Sequence, residues 1–241
     1  MFTTAIDQFI KINNYPAFKP KAVFFDMDGV LFDSMKHHAT AWVKALHNKN
    51  LPFTEYEAYM NEGRTGASTI DEIYMQQYGR TATEDEKNDI YRLKSQLFEE
   101  CGKTEQIPFV YDLLKKVKAQ GLQIFVVTGS GQRTLLHSLE ENFPNIFSKD
   151  KMVTAFDVKY GKPHPEPYLI ALNKSGVQPW ETMVIENAPL GVESAHAAGL
   201  FTIGVNTGPL NPSVLSESGA SMVFGDMKEL YDQWDNLVSG K

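Results

Sequence analysis

The fold class this sequence predicts is α/β: a doubly wound, Rossmann-like parallel sheet interrupted by an α-helical insert. Three observations carry that reading. Short apolar runs without alternation recur along the chain and end at polar turns, as strands buried on both faces do. Each run adjoins a segment of helical apolar spacing, and strands alternating with helices imply parallel crossovers. The stretch 34–104 is helical in pattern and holds no strand-like run.

Taken in order, Phe2, Ile6, Phe9 and Ile10 recur at helical spacing with Thr3 or Thr4 placed to cap. This gives a short helix packed on the main body, or a dimer contact. Ala22 to Phe25 is the first strand, followed at once by Asp26. Helical patterns then run over His37–Asn48, Thr54–Met60, Thr69–Tyr78 and Glu84–Phe98, with Leu46, Tyr59, Ile73 and Ile90 among their apolar positions. Ile107-Pro108 marks the return to α/β rhythm. Strands are expected at Leu122–Val127, Met183–Ile185 and Phe201–Val205, and helices at Phe109–Ala119, Thr134–Asn142, Pro165–Lys174 and Pro189–Ala198. The expected domains are a discontinuous core, 1–33 with 105–241, and a helical domain, 34–104. In such sheets ligands gather outside the carboxyl ends of the strands, and an insert leaving that edge would overhang them.

Composition narrows the function classes. The 241 residues carry 23 Lys+Arg against 30 Asp+Glu, a formal charge of −7, which argues against a general nucleic-acid binder. Hydrophobic residues at 42% and charged residues at 22% exclude disorder as a class. The single cysteine, Cys101, cannot form an internal disulfide. No apolar run approaches the ~18 residues of a membrane span, and the N-terminus lacks a basic n-region and an unbroken apolar core. A cytoplasmic protein with no membrane or nucleic-acid partner is expected.

The first strand delivers Asp26-Met27-Asp28-Gly29-Val30. Two carboxylates two residues apart at a strand end point the same way. A calcium loop would need Gly at position six and Glu at twelve, where this chain has Leu31 and His37. A turn with two solvated acids is the plain alternative. The chemical reading makes Asp26 a nucleophile toward phosphorus and Asp28 the acid/base beside it, with Mg²⁺ drawn to the paired acids.

Val23 to Val30 resembles the first motif of the haloacid-dehalogenase (HAD) superfamily of phosphohydrolases, and similar motifs follow in order. Thr128-Gly129-Ser130 ends the second central run as the second HAD motif does, with Thr128 and neighbouring backbone N–H groups set to hold phosphoryl oxygens. Gly129-Ser130-Gly131 cannot complete a dinucleotide fingerprint, because Thr134 stands where the third glycine belongs. Gly161-Lys162-Pro163 is similar to the third motif, where a lysine ammonium neutralises nucleophile and phosphoryl group. No Walker GK[ST] triplet exists. Glu186-Asn187 occupies the fourth motif, where the family supplies acidic Mg²⁺ ligands, and Asn187 stands where most relatives place Asp. Asp33-Ser34-Met35, His38, Trp42 and the position of the insert resemble the β-phosphoglucomutase-like branch.

The resemblance implies that the insert is a cap and that the turn Met60–Ser68 is its specificity loop. Mutases of this branch present a cation there; this chain has Glu62, with Arg64 displaced within the turn as a phosphate-binding residue. A carboxylate facing a sugar phosphate at ~4 Å costs roughly 4 kcal/mol at an effective dielectric of about 20. On the metal, the same Glu62 would return the charge that Asn187 removes. Glu62–Thr69, Thr154–Lys162 and Val184–Gly191 together are similar to HAD-type inorganic pyrophosphatases. That similarity implies catalytic Asp26, Asp28, Thr128 and Lys162; phosphate contacts from Gly129, Ser130 and Arg64; and Mg²⁺ held by Asp26, the Asp28 carbonyl, Glu186, Asn187 and Glu62. Pyrophosphate is the expected substrate. A β-phosphoglucomutase or small sugar-phosphate phosphatase is the alternative on the same scaffold, and a phosphorylated receiver module is the alternative from another class.

Overall fold

The computed structural model describes residues 2–131 and 133–239. Its elements run α1 (Phe2–Asn13), β1 (Ala22–Phe25), α2 (Met35–Asn48), α3 (Glu55–Met60), α4 (Gly66–Tyr78), α5 (Glu84–Glu100), α6 (Val110–Ala119), β2 (Gln123–Val127), α7 (Arg133–Asn142), β3 (Met152–Val153) and α8 (Glu166–Ser175). They continue with β4 (Thr182–Glu186), α9 (Pro189–Ala197), β5 (Phe201–Val205), α10 (Pro212–Glu217), β6 (Met222–Phe224) and α11 (Met227–Ser239). The strands form one parallel sheet in the order β3-β2-β1-β4-β5-β6.

The unalternating apolar runs have a direct cause. Val23 and Phe25 point into a cluster with Leu113 and Val117 of α6 and Trp234 of α11, while Ala22 and Phe24 point into a cluster with Tyr168 of α8 and Ala195 of α9. Both faces of β1 are covered, so every position must be apolar. Helices α2–α5 pack on one another around Leu46, Phe53, Ile70, Ile73, Tyr74 and Ile90. Thr54 with Glu57 and Thr83 with Glu86 form capping boxes that fix where α3 and α5 start.

The structure adds elements that the sequence reading lacks. Strands β3 and β6 span two and three residues, too short to show a period, and α10 and α11 follow β5. Thr3 and Thr4 lie inside α1 rather than capping it, because the helix already runs from Phe2. That helix is packed on the body: Phe9 meets Phe18 and Phe201 edge-on, and Tyr15 donates to the Gly199 carbonyl. Among the described residues no helix is long and apolar enough to cross a membrane.

Candidate active site

Register sets the site. Phe25 pairs with Val126 of β2 and with Ile185 of β4, so the chain leaves all three strands at one level. This is where strand order reverses, the position at which open α/β sheets bind ligands. Asp26 and Asp28 follow β1, Thr128 follows β2, Glu186 closes β4, and the loop after β3 carries Lys162. All five side chains are buried.

Lys162 is the centre of the arrangement. Its Nζ donates to Asp26 Oδ1 at 2.5 Å, to Glu186 Oε1 at 2.5 Å and to the Val127 carbonyl at 3.0 Å. Burial would lower its pKa, but the two carboxylates outweigh that and keep it well above the ordinary lysine value. Glu186 is fully engaged: Oε1 also accepts from Tyr168 Oη at 2.9 Å, and Oε2 accepts the backbone N–H groups of Asn187 and Ala188. Glu186 therefore orients the ammonium that faces Asp26, and a bond to metal would require it to release a protein donor. Thr128 accepts the Ser130 N–H at 3.0 Å, which shapes the turn Thr128–Ser130 beside Asp26.

Asp28 faces a different set. Its Oδ1 accepts from Ser34 Oγ at 2.6 Å and lies 3.0 Å from His38 Nε2. Ser34 stands at the N-cap of α2 yet makes no side-chain cap, because its hydroxyl is given to Asp28. His38 Nδ1 lies 2.7 Å from Lys94 Nζ, which is buried on α5 among Trp42, Tyr91 and Phe98. Burial raises the Asp28 pKa, but His38, Ser34 and Lys94 more than reverse this and hold it below the usual carboxylate value. Burial, then Lys94, pushes His38 down, and burial takes Lys94 down to about 7.

The insert closes the site from above. Asn187 Nδ2 donates to Glu62 Oε1 at 2.9 Å, both residues buried. Gly29 makes room for that amide: its φ is +78°, and a Cβ there would lie 2.0 Å from Asn187 Nδ2. Arg64 reaches the same cavity with its guanidinium held within the insert, Nε donating to Asn61 Oδ1 at 3.1 Å and Nη1 to Ser68 Oγ at 3.4 Å. The cavity between insert and sheet has a volume of about 60 Å³, enough for a handful of waters.

Three observations bear on a divalent cation. Asn187 Oδ1 is buried and has no hydrogen-bond partner. Burial pushes the Asp26 and Glu62 carboxyls well above their usual pKa, with neighbouring carboxylates adding to the effect, so negative charge is in excess here. Among the described residues no three His, Cys, Asp or Glu side chains gather tightly enough to hold a metal by themselves. The donors present are oxygens, one of them an amide carbonyl, which fits a hard cation completed by backbone and water.

The comparisons decide the family. Residues 23–205 match the model of the haloacid dehalogenase-like hydrolases. The chain belongs to that family, in its β-phosphoglucomutase-like branch. Among curated relatives, a phosphorylated carbohydrates phosphatase of Thermotoga maritima is 31% identical over 83% of this chain and 92% of its own length. A beta-phosphoglucomutase of Bacillus subtilis is 27% identical over 89% of this chain and 96% of its own. A solved Bacteroides vulgatus structure, provisionally assigned as a beta-phosphoglucomutase, superposes with a TM-score of 0.96 at 50% identity, covering 99% of this chain and 97% of that one. These names favour phosphorylated sugars, the alternative of the sequence reading, over pyrophosphate, which gains no support from them.

Three side chains at the site escaped the sequence reading of roles. Lys94 left a trace, since Ile90, Lys94 and Phe98 are the buried positions of α5, and a lysine on that stripe needs a partner. Ser34 shows in the sequence only as part of Asp33-Ser34-Met35, with no role attached, and Tyr168 leaves no trace, because each acts through a contact that only the fold creates.

Proposed function

We propose that this hydrolase-family chain transfers the phosphoryl group of a small phosphorylated substrate to Asp26 and then to water or an acceptor hydroxyl. The observation that carries the reading is the Lys162 bridge between Asp26 and Glu186, which aims one Asp26 oxygen at a fixed cation beside an open cavity. Asp26 attacks phosphorus, a P–O bond breaks, and the leaving oxygen takes its proton from the acid form of Asp28. Asp28, now a carboxylate, takes a proton from the attacking water or hydroxyl as the Asp26–phosphate bond is cleaved. The Ser34 and His38 contacts favour this second, base form. His38 Nε2, 3.0 Å from Asp28 Oδ1, holds that carboxyl in place through both steps. Lys162 keeps the charge on Asp26 compensated, and Thr128, Gly129 and Ser130 line the phosphoryl side.

Mg²⁺ is the proposed cofactor; when bound it neutralises phosphoryl oxygens as a Lewis acid. Asp26, the Asp28 carbonyl, Asn187 Oδ1 and Glu62 would hold it, with Glu186 retained by Lys162 and Tyr168.

The names of the relatives make phosphorylated sugars the first substrate class. Pyrophosphate is a second reading, favoured by Glu62: the loop facing the site offers a carboxylate where a sugar's distant phosphate would meet it. Phosphate release from pyrophosphate and from a panel of hexose 1- and 6-phosphates, with product isomerisation followed in parallel, separates the two. Asp26→Asn is expected to abolish turnover and acid-stable trapping of a phosphoenzyme; retention of either overturns the mechanism.

A further inference from the structure

The loop after β5, from Asn206 to Asn211, leaves the sheet and enters the insert. Its base is tied down: Thr207 Oγ1 donates to the Gly29 carbonyl at 2.6 Å, and Asn206 N donates to the Phe224 carbonyl at 2.9 Å. It closes on itself where Asn206 Nδ2 donates to the Leu210 carbonyl at 3.0 Å, and Pro209 restricts its backbone. Its tip does not pack with the sheet. Leu210, 5% exposed, belongs to the apolar cluster of α2–α5, and Gly208 lies against the Tyr59 ring, with a Cβ there 3.3 Å from two ring carbons. Beside this contact a groove of about 840 Å³ separates Lys36, Ala39 and Glu55 from Asn206, Thr207 and Pro209. On this flank, docking is concentrated on Leu210 and Gly208.

Tyr59 lies in the last turn of α3, the helix that leads to Glu62, whose N–H donates to the Tyr59 carbonyl at 3.3 Å. We infer that Leu210 is a positioning residue: a bracket fixed to the sheet seats α3 so that Glu62 meets Asn187. The inference rests on the reading that Glu62 and Asn187 together serve the metal.

The test is Leu210→Ala in the full chain, read by hydrogen exchange of the metal-free protein and by Mg²⁺ titration of activity. Exchange across α3 and residues 61–66 is expected to rise about tenfold or more, as loss of a buried leucine contact implies. The Mg²⁺ concentration for half-maximal rate rises severalfold while the rate at saturating Mg²⁺ stays within about twofold, since no reacting group is touched. Leu210→Met restores both. Unchanged exchange at α3, a uniform rise over the whole chain, or a fall in saturated rate with no metal shift would overturn the inference. Should the Ala variant not fold, Leu210→Val carries the same measurements. Glu62→Gln is the control on the underlying reading. If it leaves the Mg²⁺ requirement unchanged, that reading fails, while exchange at α3 still decides whether the bracket seats the helix.

Discussion

Lys94 Nζ lies 2.7 Å from His38 Nδ1, so a buried ammonium from α5 and a buried imidazole from α2 share one contact. With Lys94 donating to Nδ1, the ring proton sits on Nε2 and faces Asp28. The chain Lys94–His38–Asp28 then links the proposed acid/base to a cation held in an aromatic enclosure.

Burial lowers the Lys94 pKa from 10.5 to about 7, and that shift makes stability depend on pH. The unfolded chain binds this proton more tightly than the folded one. Stability should therefore rise with pH between about 7 and 10.5, and below about 7 the full penalty applies. Lys94→Met, which fills the space between Trp42, Tyr91 and Phe98 without a charge, should be more stable than the parent by a few kcal/mol at pH 7. The gap should close toward pH 10, while turnover falls because His38 loses its partner. Denaturant melts of both proteins across this range test it, and a gap independent of pH sinks it.

Asn187→Asp tests the departure in the fourth motif. The change removes the amide that donates to Glu62 and sets two carboxylates face to face, at a cost of about 4 kcal/mol for a like-charge contact near 4 Å at an effective dielectric of about 20. Without a divalent cation the variant should melt lower than the parent. With Mg²⁺ it should recover, and the metal should bind at least about tenfold tighter, because one more anionic oxygen is offered. Thermal melts with and without Mg²⁺ are the measurement. Equal responses of parent and variant would mean that position 187 does not face the ion.

Much of this was legible in the amino-acid string, and the gaps have physical causes. The central strands could be read because both faces of β1, β2, β4 and β5 are covered, leaving continuous apolar runs such as Val23–Phe25 and Ile124–Val127. Strands β3 and β6 could not, since Met152–Val153 and Met222–Phe224 are too short for any period to show. Asp26, Asp28, Thr128 and Glu186 could be named in advance because each stands at the end of a legible strand, whereas Lys162, well beyond the short β3, could be named only through the family resemblance. Tyr168 could not, because its hydroxyl reaches Glu186 only once α8 packs on the sheet. Leu210 reads as an ordinary loop leucine until the insert closes around it. The engaged state of Glu186 was likewise hidden: a carboxylate in a metal-binding motif gives no sign that four protein donors already occupy it.

Gly129→Ala probes closure without removing a reacting group. Gly129 has no need of a left-handed backbone; what excludes a side chain is the insert itself. A Cβ at this position would lie 2.2 Å from the Gly63 carbonyl oxygen and 3.0 Å from that of Arg64, both backbone atoms that cannot swing aside. The alanine variant keeps the backbone N–H of residue 129, so the phosphoryl contact proposed for it survives. The loop 61–66 must instead withdraw, taking Glu62 from Asn187 and opening the site to water. We expect kcat/KM to fall about a hundredfold for every substrate in the panel, as misplacement on the order of 1 Å does. Exchange of the loop amides should rise while the denaturant midpoint of the chain hardly moves. Activity within about twofold of the parent, together with unchanged loop exchange, would show that the seated loop is not the working state.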